Sequence, residues 1–215
     1  MKSIAIIGLS SFGYYLAQEL VKEGVQILAL DTDADKIDRI RNQVHKAVLA
    51  DGTDRQILEN LGFRELDGVV VCLGQIEASV LTTLHLNEMK IKRIIVKALS
   101  EDHGKLLGMV GAHDVVFPEK DMAYRIAFTL THKNVLDHVE LVEGYSIVEI
   151  SPPLSFLGKS LRELNLRGKY GVQVIVIKEM LPPGVIVPTP DSVVKDSDIL
   201  VIMGKDEAIK TIQSR

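Results

Sequence analysis

The chain has 215 residues, 47% of them apolar and 25% charged, with a net charge of -4. That composition is ordinary for a globular protein able to bury one large core or two small ones. A net negative chain lacks the basic face that phosphate neutralisation demands, which argues against nucleic acid as a main partner. The single cysteine, Cys72, excludes an internal disulfide and fits a reducing cytosol. No apolar stretch approaches the roughly 20 residues of a bilayer span, and the N-terminus runs straight into a strand pattern without a signal peptide. The expectation is a cytoplasmic protein.

In chain order, six short apolar runs come first: Ser3–Gly8, Gln26–Asp31, Lys46–Asp51, Gly68–Gly74, Arg93–Leu99 and Asp114–Pro118. They are rich in Val and Ile and apolar almost throughout, as strands buried on both faces must be. Amphipathic stretches such as Tyr14–Glu23, Asp54–Leu61 and Ile76–Met89 separate them. This alternation predicts a doubly wound parallel α/β sheet in the order 3-2-1-4-5-6.

From Asp121 to Val139 the spacing of Met122, Ile126, Leu130 and Val135 predicts one long helix with an apolar stripe. Beyond it come YSIVEI, a helical SLRELNL, VQVIVIKE, GVIVP, DILVIMG and a final helix from Asp206. Pro182, Pro183, Gly184 and Pro188 punctuate a hairpin-like region. Strands follow one another with little helix between them, so a small α+β module is expected. The division is placed between 1–135, carrying the sheet and the long helix, and 136–215.

The chemistry begins at the turn Gly8-Leu9-Ser10-Ser11-Phe12-Gly13, between the first strand and its helix. A structural reading makes Gly8 and Gly13 a tight turn with close helix–strand packing. A functional reading makes it a phosphate turn: helix N-termini offer unpaired N–H groups and a positive dipole end. Asp31, at the end of the second strand, stands where a carboxylate meets the ribose hydroxyls of an adenosine. Ser10 places a Cβ where the backbone would approach a pyrophosphate, and its hydroxyl is a potential donor.

The run from Asp31 to Asp35 is not a calcium loop, because Lys36 and Asn42 stand where Gly and Glu are required. Asp33 is read as the cap of the next helix. Ala50–Asp54 either borders an adenine, with Asp51 the preferred contact, or caps a helix through Thr53. Lys97 interrupts an apolar strand, either reaching solvent or facing a phosphate. Glu119 either complements a helix dipole or serves as a metal or phosphate-side ligand.

A dehydrogenase needs a substrate domain and an acid–base group near the nicotinamide. From residue 140 onward there is no histidine or cysteine, and the chain's six histidines show no metal-ligand spacing. Each histidine is read as packed or solvated, and Cys72 as core. The residues favour a ligand sensor over a catalyst; a small NAD(P)-dependent reductase is the alternative.

IIGLSSFG, strand-end Asp31, ADGTD, IEASVLTTL, VVFPEKDMAYRIA, LRGKYGVQVIVIK and DILVIMG occur in one order over the whole chain. With these motifs the chain resembles the cytoplasmic gating subunits of bacterial potassium transport systems (KtrA/TrkA type), built from regulator-of-conductance-of-potassium (RCK) domains. The resemblance implies a Rossmann-like nucleotide-binding RCK domain followed by a small α+β ligand-sensing and dimerising one. It further implies homodimers assembled into an octameric ring beneath a membrane potassium-translocating subunit of KtrB/TrkH type.

By position, Gly8, Ser10, Ser11, Phe12, Gly13, Asp31, Asp51, Gly52 and Lys97 are implied for an adenine nucleotide, ATP or ADP ahead of NAD(H). Glu119 is implied for a divalent cation at the dimer interface. Arg167, Gln173, Val174 and Pro188 are implied for a second ligand such as cyclic di-AMP. The chain departs from the family's G-L-G-R-F-G turn: Ser10 replaces a glycine, and Ser11 the arginine that reaches the terminal phosphate. Discrimination of ATP from ADP is therefore expected to be blunted. The potassium filter signature is absent, so the pore belongs to another chain.

Overall fold

The structure, a computed structural model, describes residues 2–132 and 134–213. It separates into two compact units, Met1–Pro118 and Glu119–Arg215. The division falls at the start of a helix, ahead of the 135/136 position expected from the sequence.

In the first unit, strands β1 (Ser3–Ile7), β2 (Gln26–Asp31), β3 (Lys46–Leu49), β4 (Gly68–Val71), β5 (Ile94–Lys97) and β6 (Asp114–Val116) alternate with helices. These are α1 (Ser11–Lys22), α2 (Ala34–Ile40), α3 (Arg55–Asn60), α4 (Ile76–Glu88) and α5 (Glu101–Val110). The strands form one sheet in the order β3-β2-β1-β4-β5-β6, with every pairing parallel. This is the expected doubly wound arrangement.

The central strands show why the sequence folds this way. Ala5 and Ile7 of β1, with Val69 and Val71 of β4, enter one apolar cluster. Ile6 and Val70, one residue out of step, enter another with Ala17 and Ile37 on the opposite face. A strand feeding two cores has no polar face to show, hence the unbroken Val/Ile runs.

The second unit holds α6 (Pro118–Thr131), β7 (Val135–Val142), β8 (Tyr145–Ile150), α7 (Leu161–Leu164), α8 (Leu166–Tyr170), β9 (Gln173–Met180), β10 (Pro183–Ile186), β11 (Ile199–Lys205) and α9 (Asp206–Gln213). Its antiparallel sheet runs β10-β9-β11-β8-β7. Phe128, Val148, Ile150, Leu200, Ile209 and Ile212 are among the side chains of its core.

Here the structure corrects the sequence reading. Asp121–Val139 is not one helix: α6 stops at Thr131, and Val135–Val142 is a strand pairing with β8. Asn134 takes a left-handed φ of 65°, a conformation Asn tolerates and a continuing helix does not. The stripe Met122, Ile126 and Leu130 lies exposed on α6, and Phe128 is the helix's buried residue.

Candidate functional site

The site is built at the carboxyl ends of β1 and β2, where β1 lies between β2 and β4. Connections leave the sheet in opposite directions at such a point, and a crevice opens there. Gly8 follows β1 with φ +93°, and a Cβ on it would lie 2.9 Å from the Cys72 carbonyl carbon. The chain therefore turns against β4 with no room for a side chain. Gly13, one turn into α1, is equally constrained: a Cβ there would come within 2.2 Å of the Gly8 carbonyl oxygen. Gly13 seats the helix on the turn.

Ser10 is the N-cap of α1, yet its side chain makes no capping hydrogen bond. The Ser10 hydroxyl oxygen is buried without a partner, beside helix N–H groups that have none within the helix. Asp31 ends β2 and is only 9% exposed. Its Oδ2 accepts from the Leu9 N–H at 2.6 Å and its Oδ1 from the Asp33 N–H at 2.9 Å. One carboxylate thus holds both the glycine turn after β1 and the start of the loop after β2. Lys36, in the first turn of α2, places Nζ 3.4 Å from the same Oδ2.

Asp51 stabilises the third loop by accepting from the Thr53 N–H at 2.9 Å and the Thr53 hydroxyl at 2.8 Å. Gly52 lies against β1, where a Cβ would meet Ile7 Cγ2 at 2.2 Å. The helix cap in this loop is Asp54, which accepts from the Gln56 and Ile57 N–H groups, and not Thr53. Asp33 caps α2 as expected, accepting from the Asp35 and Lys36 N–H groups.

Together these loops enclose a cleft of about 670 Å³, within the range of small-molecule sites. Gly8, Ser10, Asp31, Asp51 and Gly52 all line it. Of the other residues implied at this site, Gly13 shapes the turn, Phe12 packs into the apolar cluster beneath, and Ser11 is exposed on α1. Lys97 ends β5 and is 6% exposed, so it does not reach solvent; it is not among the cleft residues. Sequence reasoning passed over Lys36 and Gln75, which also line the cleft. For Lys36 a signal existed: a cation five positions after a strand-end aspartate.

Glu119 sits exposed in the first turn of α6, in the second unit. Among the described residues, no group of three or more His, Cys, Asp or Glu is placed to hold a metal ion.

In the second unit, Arg167, Gln173, Val174 and Pro188 line one cleft of about 270 Å³, with Arg162, Asn165 and Thr189. Arg162 is fixed there by Asp191 at 3.0 Å, which holds the guanidinium pKa up and the carboxyl pKa down. The same unit buries a polar relay that sequence reasoning missed. His138 Nε2 lies 2.9 Å from the Ser146 hydroxyl, which donates to Asp206 Oδ1 at 2.7 Å. An ionised carboxylate only accepts, so the hydroxyl proton points at Asp206 and His138 donates from Nε2. The imidazole stacks on Phe128 at 3.8 Å, and Tyr124 meets it edge-on at 5.5 Å. Burial pushes the His138 pKa down against the opposing pull of Asp206 and Glu140. His103 is likewise packed, between Ser79 at 2.7 Å and the Leu99 N–H at 3.2 Å, and burial lowers its pKa. Cys72 is core.

No helix among the described residues is long and apolar enough to cross a membrane. The TrkA-N domain model matches residues 4–118 and the TrkA-C domain model residues 145–215. The chain is 40% identical over 215 residues to the Ktr system potassium uptake protein C of Bacillus subtilis, covering all of this chain and 97% of that one. It is 38% identical to protein A of the same system and organism, covering 99% and 96%. With the Ktr system potassium uptake protein A of Vibrio alginolyticus it shares 30% identity, covering 97% and 94%. Among solved structures, the GsuK RCK domain superposes with a TM-score of 0.72 at 21% identity, covering all of this chain and 48% of that one. The GsuK channel bound to NAD gives 0.70 at 20% identity, and this chain spans 40% of it. A TrkA-N model over the first unit, a TrkA-C model over the second and full-length Ktr relatives agree: the chain belongs to the Ktr/Trk family of potassium uptake proteins.

Proposed function

We propose that this protein is a cytoplasmic regulatory subunit of a bacterial potassium transport system. It binds adenine nucleotide in the cleft of its first unit and couples nucleotide state to a membrane partner of KtrB/TrkH type. The observation that carries this reading is the buried, unpartnered Ser10 hydroxyl at the start of α1. A buried polar group without a partner costs free energy, and an anion at this helix end would relieve it. The relatives named above are potassium uptake proteins, which favours regulation over a reductase activity.

Gly8, Ser10, Asp31, Asp51 and Gly52 are the direct contacts in this reading, with Ser11, Phe12 and Gly13 shaping the turn and Lys97 supporting it from β5. ATP or ADP is favoured over NAD(H), although a GsuK channel structure is described as bound to NAD. A divalent cation at Glu119 would need ligands from the nucleotide or a second copy, and no step is assigned to it. The exposed stripe Met122, Ile126 and Leu130 on α6 supports self-association through that helix, in a dimer and an octameric ring. The 270 Å³ cleft falls just below the usual size of a small-molecule pocket. This suits half of a cyclic di-AMP site shared by two copies.

The test is a thermal-shift series with ATP, ADP, NAD and NADH, followed by potassium flux through the membrane partner reconstituted with the chain. Nucleotide-dependent stabilisation and flux are expected. NADH oxidation with any acceptor, or flux indifferent to nucleotide, overturns the reading.

A further inference from the structure

We propose that Lys36 is a specificity-determining residue of the nucleotide cleft: it holds Asp31 in the free protein and exchanges onto ligand phosphate on binding. The inference rests on the nucleotide reading above and concerns how the site tells phosphorylated from unphosphorylated adenosine.

The argument starts from the acceptor capacity of Asp31. A carboxylate offers about four lone-pair positions, two on each oxygen. Oδ1 gives one to the Asp33 N–H and Oδ2 one to the Leu9 N–H. The Lys36 ammonium, 3.4 Å away, takes the second position on Oδ2. A ribose diol needs two acceptors, and the free protein has one left. Full engagement of a ribose therefore requires Lys36 to leave Oδ2.

Leaving is easy and has a destination. The Lys36 side chain is 38% exposed, and a pair so open at its cationic end holds weakly. Its other carboxylate neighbour, Asp33, is at 3.9 Å. The oxygen it leaves is the one bonded to Leu9 of the phosphate turn at 2.6 Å, so the ammonium already stands beside that turn. A lysine head is a compact charge on a flexible stem and swings over such a distance without backbone change. Lys36 is the only cation among the described residues that line the cleft. Its position also runs against helix preference: the third residue after an N-cap favours Glu or Gln, and a cation there opposes the helix dipole. Helix preference does not call for a lysine here; the Asp31 pair and a phosphate in the cleft do.

The exchange makes opposite predictions for two ligands. Adenosine brings a diol and no phosphate, so Lys36 only competes with it. ADP brings both, so Lys36 yields one partner and gains another. Binding of adenosine and of ADP is measured on the full chain, wild type against Lys36→Met and Lys36→Arg. Lys36→Met is expected to weaken ADP about tenfold to a hundredfold, the range of one charge-assisted hydrogen bond, while adenosine binds as well or better. Lys36→Arg is expected to restore ADP to within a few-fold. Equal weakening of both ligands by Lys36→Met would reduce Lys36 to support of α2, and unchanged ADP affinity would remove it from the phosphate; either overturns the exchange. If wild type binds neither ligand, the nucleotide reading itself fails, a result distinct from both.

Discussion

Replacing Asp31 with alanine tests whether the free site is already assembled. The carboxylate accepts two backbone N–H groups, from Leu9 and Asp33. Leu9 is buried, so its orphaned N–H costs about 1.5–3 kcal/mol, as for hydrogen bonds to charged groups. The Asp33 N–H is nearer solvent, where water replaces the lost partner, and contributes about 0.5–1.5 kcal/mol. The Lys36 pair, open to water at the lysine, adds about 0–1 kcal/mol. Asp31→Ala is therefore expected to destabilise the ligand-free protein by about 2–5.5 kcal/mol, and at roughly 4 °C per kcal/mol its Tm falls by about 8–22 °C. Nucleotide affinity falls at least about tenfold in addition, through the lost ribose contacts. Differential scanning calorimetry without ligand, then calorimetric titration with ADP, separates the two effects. A free-protein Tm within about 2 °C of wild type would refute the claim that Asp31 organises the turn.

Ser10→Ala should act with opposite signs on stability and binding. Removing an unpartnered buried hydroxyl leaves the free protein equal or more stable, while the thermal shift produced by saturating ADP shrinks; an undiminished shift would place phosphate elsewhere. Gly13→Ala drives a Cβ to 2.2 Å from the Gly8 carbonyl oxygen and should cost at least about 3 kcal/mol by urea unfolding; a wild-type midpoint would contradict the packing described for the turn. Stability should also fall as pH drops below about 6.5, the ordinary histidine value. His138 and His103 have lowered pKa values when folded, so the unfolded chain binds protons first and stability rises with pH through that window. His138→Gln, which keeps a donor toward Ser146, should flatten this slope in the second unit's unfolding, and an unaltered slope would assign the dependence elsewhere.

The sheet of the first unit was legible in the sequence because strands buried on both faces leave no polar positions to obscure them. The Asp33 cap and strand-end Asp31 were legible because local chemistry dictates them. The strand β7 was not. Val135 and Val139 are four apart, an interval that fits a helical period and one face of a strand alike. The left-handed turn at Asn134 decides the matter, and single-residue spacing does not register it. Lys97 was ambiguous because a charge in an apolar strand has two physical outcomes, and burial selects between them only in three dimensions. Lys36 was passed over although its place five positions after a strand-end aspartate brings the two charges together. The His138 relay joins β7, β8 and α9, and no sequence window spans all three.

The strand order of the first unit also bears on how the protein comes into being. β1 pairs with β4, Ile4 opposite Gly68, so the crevice between them has no walls until a long stretch of chain has been made and has closed on itself. Such non-local pairing is slow to form, because loop-closure entropy is lost before the contacts reward it. In the second unit β7 and β8 are joined by a tight hairpin, with Val142 opposite Tyr145, a structure that closes quickly and locally. During synthesis β1 can meet β2 early, but its other edge stays uncovered until β4 has been made. The cleft is thus complete only once β4 has paired with β1, and a ligand held there would favour only chains whose central strands have found their partners.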